Sequence, residues 1–365
     1  MRFLLLALGL CLSSGSAQAA PFQIHPYNFF GAADEFTASI ALGDLDNDGD
    51  LDALAVNGRH WVQQDRAYFN NGIGFLRSSV PVGAREGTGY VAALADFDND
   101  GDLDAVIARD LLPPLLLRND GNGNFDDGEE FGPLVQSRSA LAGDFDGDGD
   151  ADLVISQRGD VNIFYRNDGT GNLVPEAAVG GEYQTIGGAM ADIDGDGDLD
   201  LVFSNRGGEG VILHRNDGNA GFDEGSFIGA DLNLETRSIA LGDINGDGHL
   251  DIVAAAIGAP GVIFLGDGTG AFRTSDRWGS AEDSTYGLAL ADFDGNGQLD
   301  ILAGNTEAVS QIHYQADEGW TAGNLYDEAV TVYGVAVGDL NMDNKPDIVF
   351  AVSEGVNFVA INRHD

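Results

Sequence analysis

The stretch Asp44-Leu45-Asp46-Asn47-Asp48-Gly49-Asp50-Leu51-Asp52 returns, with small changes, at Asp96, Asp144, Asp192, Asp243, Asp292 and Asp339. The intervals are 52, 48, 48, 51, 49 and 47 residues. A chain that repeats itself so steadily must bury its apolar residues between like units placed side by side, because each unit alone is too small to cover a core.

Within the nine-residue pattern the odd positions carry the chemistry. In the first four copies they are all aspartate: Asp44, Asp46, Asp48, Asp50 and Asp52; Asp96, Asp98, Asp100, Asp102 and Asp104; Asp144, Asp146, Asp148, Asp150 and Asp152; Asp192, Asp194, Asp196, Asp198 and Asp200. The fifth copy has Asp243, Asn245, Asp247, His249 and Asp251, the sixth Asp292, Asp294, Asn296, Gln298 and Asp300, and the seventh Asp339, Asn341, Asp343, Lys345 and Asp347. Alternating oxygen side chains in one tight loop suit a hard cation that takes six to eight oxygens, which points to calcium, up to seven ions. Position seven tolerates His249, Gln298 and Lys345, as expected of a residue that contributes its backbone carbonyl. Position six is glycine except at Asn344, as a left-handed turn requires. An EF-hand is excluded, since the bidentate glutamate it needs at position twelve is replaced by Ala55, Ile107, Ile155, Phe203, Ala254, Ala303 and Phe350.

Between loops the pattern reads as strands. A strand of small alternating residues precedes each loop, as in Val91–Ala95, and a more apolar one follows, as in Leu103–Ala108. A third strand often ends in Arg-Asn-Asp-Gly, at Arg118, Arg166 and Arg215, where Asp-Gly marks a hairpin turn into a fourth strand. Seven such units predict an all-β chain, a seven-bladed β-propeller of four-stranded antiparallel blades. The last repeat stops after its third strand, and Pro21–Ile24 is expected to supply the fourth, closing the ring by pairing the N- and C-terminal strands.

Residues 1–19 read as a secretory signal: Arg2, an apolar run from Phe3 to Leu12, and Ala17-Gln18-Ala19 before the expected cleavage point. Residues 20–365 then form a single domain, secreted, or periplasmic if the source is a diderm bacterium. The lone cysteine, Cys11, falls in the leader, so no disulfide is expected and calcium takes over the stapling role. No apolar run of 18 residues follows, so membrane insertion is not expected. With 60 acidic against 17 basic residues the formal charge is -43, which excludes nucleic acid as a partner. A monomer is expected.

These residues resemble the FG-GAP/VCBS repeat family, whose calcium-loop propellers include the headpiece of integrin α subunits. The resemblance runs from about Ala41 to the C-terminus and covers all seven loops. It implies a platform for adhesion or carbohydrate binding, and some similar propellers are polysaccharide lyases. The seventh copy departs from the pattern at Met342, Asn344, Lys345 and Pro346.

A ligand is expected on the rim away from the metal loops, where connections are free to vary. The second-to-third-strand connections hold Arg59, His60, Trp61, Arg109, Arg158 and Arg206, and the fourth-to-first connections hold Tyr90, Arg138, Arg237, Tyr286 and Tyr333 at matching offsets before their loops. Arginine forks beside aromatic rings suit an anionic ligand such as an acidic polysaccharide. The leading reading is a binding or adhesion module for a glycan or cell-surface protein. The alternative is a polysaccharide lyase, for which His60 with Arg59 and a rim tyrosine is the candidate catalytic set.

Overall fold

A computed structural model describes residues 22–25, 27–316 and 319–364; the expected leader, its cleavage point and Cys11 lie outside them. Every described element is a β-strand except one 3₁₀ turn at Ala230–Leu232. In each repeat a strand such as Thr37–Gly43 leads into the acidic loop and one such as Asp52–Asn57 leads out. All six residues of Asp52–Asn57 are buried, as are those of Asp200–Asn205, Asp251–Ala256, Asp300–Asn305 and Asp347–Val352. Cover on both faces explains why these strands read as continuous apolar runs instead of alternating.

The expected architecture needs correction. Instead of seven separate four-stranded blades closed into a ring, hydrogen bonding gives three four-stranded sheets, one five-stranded sheet and one of ten strands, and no sheet closes into a ring or barrel. The ten-stranded sheet arises because strands run through segments that read as connections. Asp104–Leu112 extends far enough to pair Leu112 with Val135, while Asp152–Arg166 and Val174–Ala191 are continuous over 15 and 18 residues. Register shifts at Arg158/Asp160 and Asp160/Asn162 bend the strand past Gly159 without ending it. Phe22–Gln23 pairs antiparallel with Asn357–Asn362, so the first and last described strands share the five-stranded sheet. That pairing completes one sheet and does not join the sheets to one another.

Neighbouring repeats are held by side-chain packing. Seven buried clusters occur among the described residues, each shared by two consecutive repeats. One joins Leu54 and Val56 to Ala105 and Ile107, and another joins Val349 and Val359 of the last repeat to Ala53 and Ala55 of the first. Each cluster contains one residue from the second loop position: Leu45, Phe97, Phe145, Ile193, Ile244, Phe293 and Leu340. Burying each contributes about 1.5–3 kcal/mol, so the acidic loops are pinned to the core by their own apolar residue. The strands entering the loops crowd together where side chains are small: a Cβ on Gly287 would lie 2.9 Å from Val335 N, and one on Gly334 would lie 3.1 Å from Ala38 O.

Candidate functional site

All seven loops hang from the same pair of strand positions. The residue before the first aspartate faces the ninth across the ladder: Gly43 with Asp52, Ala95 with Asp104, Gly143 with Asp152, Ala191 with Asp200, Gly242 with Asp251, Ala291 with Asp300 and Gly338 with Asp347. The ninth aspartate accepts the backbone N–H of the second loop residue on one oxygen and that of a third-strand residue on the other. For Asp52 these are Leu45 N at 3.0 Å and Asn70 N at 2.8 Å. The first aspartate takes the N–H of position six, as in Gly49 N to Asp44 Oδ2 at 3.0 Å.

Position seven donates its N–H to the side chain at position five in every loop, whether it is Asp50, His249, Gln298 or Lys345. The backbone there is therefore placed alike whatever the side chain. Position four adopts a left-handed backbone even at Asn47, Asn99 and Met342, with φ of 59°, 61° and 59°.

Carboxylate oxygens converge within 4.8 Å in five loops: Asp44, Asp46 and Asp48; Asp96, Asp98 and Asp104; Asp144, Asp146 and Asp152; Asp192, Asp194 and Asp200; Asp292, Asp294 and Asp300. The fifth and seventh loops, with Asn245 and Asn341 at position three, bring no such trio of acidic oxygens together. These clusters suit a divalent cation on their own chemistry. Asp46 Oδ1, Asp98 Oδ1 and Asp194 Oδ1 are buried with no hydrogen-bond partner, the state a metal ion would relieve. Burial, then the negative charge of Asp48, raises the pKa of Asp46. Burial likewise lifts Asp52 to about 7 and Asp104, Asp152, Asp200, Asp300 and Asp347 to about 6, against the backbone N–H groups that stabilise their charge. Arg118 Nε lies 3.8 Å from Asp98 Oδ2 and Arg215 Nε 3.5 Å from Asp194 Oδ2, which makes these strand-end arginines structural partners of the loops.

One device escaped the sequence reading. Asn119 uses its N–H for Asp104 Oδ1 and its side-chain amide for Leu45 O of the preceding loop, at 2.9 and 2.8 Å. Asn70, Asn167, Asn216 and Asn362 do the same to Leu340, Phe97, Phe145 and Phe293. The recurrence of Asn in Arg-Asn-Asp-Gly was the visible signal.

The opposite ends of the loop-entering strands form a second site. Paired with the strand that leaves its loop, each of these seven strands carries one register shift, between Thr37 and Ser39, Gly89 and Val91, Ser137 and Ser139, Thr185 and Gly187, Thr236 and Ser238, Thr285 and Gly287, and Val332 and Gly334. The residues left unpaired are Ala38, Tyr90, Arg138, Ile186, Arg237, Tyr286 and Tyr333, all six positions before a loop. A bulge re-aims its side chain, and here all seven line one cavity of about 220 Å³, which Arg59 also enters.

The sequence placed Tyr90, Arg138, Arg237, Tyr286 and Tyr333 in connections; they stand on strands, and they do come together. The Arg59 guanidinium lies 3.5 Å above the Tyr333 ring, that of Arg138 4.0 Å above Tyr90, and that of Arg237 4.6 Å above Tyr286. Tyr286 meets Tyr333 edge to face at 5.1 Å.

Three of the expected rim arginines do not join this cavity. Arg109 is 2% exposed and is consumed by Pro113 O at 2.6 Å and Glu130 Oε1 at 2.7 Å. Arg158 bonds Gln184 and Arg206 bonds Glu235. Trp61 is exposed beside Phe36. His60 bridges Asp110 Oδ2 at 2.8 Å and the Tyr90 hydroxyl at 3.1 Å. Arg138 reaches Asp110 Oδ1 at 2.6 Å. Burial works to raise the Asp110 pKa, but the hydrogen bonds from His60 and Arg138 outweigh it and hold the carboxyl below its ordinary value.

The FG-GAP-like repeat matches residues 44–107, 96–155, 144–203, 192–254 and 243–303. No curated protein matches the chain. Among solved structures it is similar to BBS1N in complex with ARL6DN, at 9% identity and TM-score 0.64 over 94% of this chain and 97% of that one. It is similar to Sqt1 of Saccharomyces cerevisiae, at 11% and 0.60 over 91% and 97%. It is also similar to the BP39L lectin of Burkholderia pseudomallei, at 12% and 0.65 over 90% and 97%. At such identities the likeness is one of fold alone.

Proposed function

Given that the chain belongs to the FG-GAP-like repeat family, we propose that it is an exported, monomeric binding module, stapled by calcium in its acidic loops and holding a glycan or cell-surface protein on the opposite face. The observation that carries this reading is the buried, unpartnered oxygen at position three of the loops, Asp46 Oδ1, Asp98 Oδ1 and Asp194 Oδ1. Oxygen-only clusters of this size favour calcium over zinc or magnesium. Asp44, Asp46 and Asp48 in the first loop, and the aspartates at positions one, three and nine in the loops at Asp96, Asp144, Asp192 and Asp292, would hold the ion, with the backbone carbonyl of position seven as a further ligand. The signal-like pattern of residues 1–19 supports export, and among the described residues no helix is long and apolar enough to cross a membrane. The fold shared with a lectin and with BBS1N, crystallised in complex with ARL6DN, agrees with a binding role.

Co-sedimentation of the protein with acidic and neutral polysaccharides and with cell-surface fractions, in calcium and in excess chelator, tests the reading. Binding in calcium that disappears with chelator is expected; no binding in calcium overturns it.

A second reading rests on Asp110, His60 and Tyr90. Their chain of contacts at 2.8 and 3.1 Å resembles a base oriented by a carboxylate, as a polysaccharide lyase would need. Growth of ultraviolet absorbance from unsaturated sugar ends, lost in Tyr90→Phe, would replace the binding reading with this one.

A further inference from the structure

In a chain with 60 acidic residues and 17 basic ones, the cavity at the seven bulges is lined by no aspartate or glutamate. Three arginines enter it. Arg138 has Asp110 for a partner, at 2.6 Å. Arg59 and Arg237 make no ion pair among the described residues, and Arg59 Nε is buried with no hydrogen-bond partner. The hydroxyl of Ser39, also in the lining, is likewise buried and unpartnered. Burial lowers the Arg237 pKa to about 10; Tyr286 and Tyr90 oppose the shift, and the nearby charges of Arg59 and Arg206 add to it.

Both guanidiniums are nonetheless held in place. Arg59 lies over Tyr333 and Arg237 over Tyr286, and the two tyrosines brace each other. Arg59 takes a left-handed backbone, φ 54°, secured by its N–H to Gly89 O at 3.0 Å. For a residue with a Cβ that conformation is strained, and such strain concentrates at ligand sites. A pair of fixed cations without ion-pair partners, one of them with the unsatisfied donor Arg59 Nε, is a receptor for an oxyanion.

We propose that this cavity binds the carboxylate of a single sugar acid, as a free uronate or at the end of a glycan, with Arg59 and Arg237 as its anion fork. The proposal rests on the glycan-binding reading above and names its ligand class. The volume of about 220 Å³ is below the range of roughly 300–1,000 Å³ typical of drug-sized sites. It admits one ring-sized group and not a length of peptide. Ser139 and Ser238 in the lining offer hydroxyls to a sugar, and Ile186 and Ile239 offer apolar surface to its ring. A long polyanion would meet the field of a protein carrying -43, so a chain end with one buried charge fits better than a charged polymer lying across the face.

Calorimetric titration in calcium buffer with glucuronate, glucose and inorganic sulfate tests this. Glucuronate is expected to bind at least 10-fold tighter than glucose, and Arg59→Gln and Arg237→Gln each to weaken it by about 10-fold or more. Arg237→Gln removes a charge that has no ion pair and loses its stacking on Tyr286, so it should melt close to the wild type; this separates a ligand site from a structural arginine. Equal binding of glucose and glucuronate, or glucuronate binding unchanged in the double variant, overturns the proposal. Sulfate binding as tightly as glucuronate overturns the sugar assignment. Polysaccharide co-sedimentation that survives in the double variant overturns this site while leaving the general binding function in place.

Discussion

The side-chain amide of Asn119 donates to the carbonyl of Leu45 across 2.8 Å, although the two residues are 74 positions apart. Leu45 is fully buried between the first two repeats, so this single bond ties the loop of one repeat to the third strand of the next. Asn119→Ala leaves the Leu45 and Leu103 carbonyls without this donor. It is expected to destabilise the protein by about 1–3 kcal/mol, read by denaturant unfolding in calcium; an unchanged midpoint would show the bond to be incidental.

Chelation should lower the melting temperature. At millimolar calcium and dissociation constants of about 10⁻⁴ to 10⁻³ M, each filled site would contribute roughly 0.4–1.4 kcal/mol. Equilibrium dialysis is expected to show the five loops with converging carboxylates filling first and the loops at Asp243 and Asp339 filling last. Asp194→Ala should remove one of the tighter sites and reduce the chelator-sensitive part of the melting shift.

Crowding at the bulge cavity makes Gly287 sensitive. An added methyl would lie 2.9 Å from Val335 N and 3.0 Å from Gly334 C, both backbone atoms that cannot turn aside. Gly287→Ala is expected to cost about 1–3 kcal/mol and to distort the neighbouring Tyr286 and Tyr333. A full-stability variant with unaltered tyrosine fluorescence would contradict this packing.

Asp65 provides a pH test away from the loops. Burial raises its pKa to about 7, partly offset by the N–H of Asn57 and the charge of Arg109. The folded state therefore holds a proton that the unfolded chain releases near pH 4. Between about pH 4 and 7 this residue's contribution to stability falls as pH rises, by at most about 1.4 kcal/mol per pH unit. Asp65→Asn keeps an oxygen to accept the Asn57 N–H at 2.6 Å and should abolish that part of the slope. Parallel stability profiles for the two proteins in saturating calcium would refute the assignment.

Local chemistry explains why so much was legible beforehand. The seven loops, their glycine turns and the strands on either side are written in short-range patterns, since a left-handed turn favours glycine or asparagine at a single position. Five of the seven residues at the bulge positions were likewise visible as a recurring offset of Tyr and Arg before the loops, Ala38 and Ile186 being the exceptions.

The sequence by itself determined the repeat, the all-β class and the oxygen clusters, because those depend on neighbours within one unit. Only the tertiary structure decided how the strands are shared among sheets: Leu112 continues its strand into Val135 because that partner is at hand in space, which no local pattern records. It also decided that Arg109 would be spent on Glu130 while Arg59 and Arg237 stand without a carboxylate. Whether a charge is paired depends on what other repeats bring to within a few ångströms, and that distance is set by packing between units rather than by spacing along the chain.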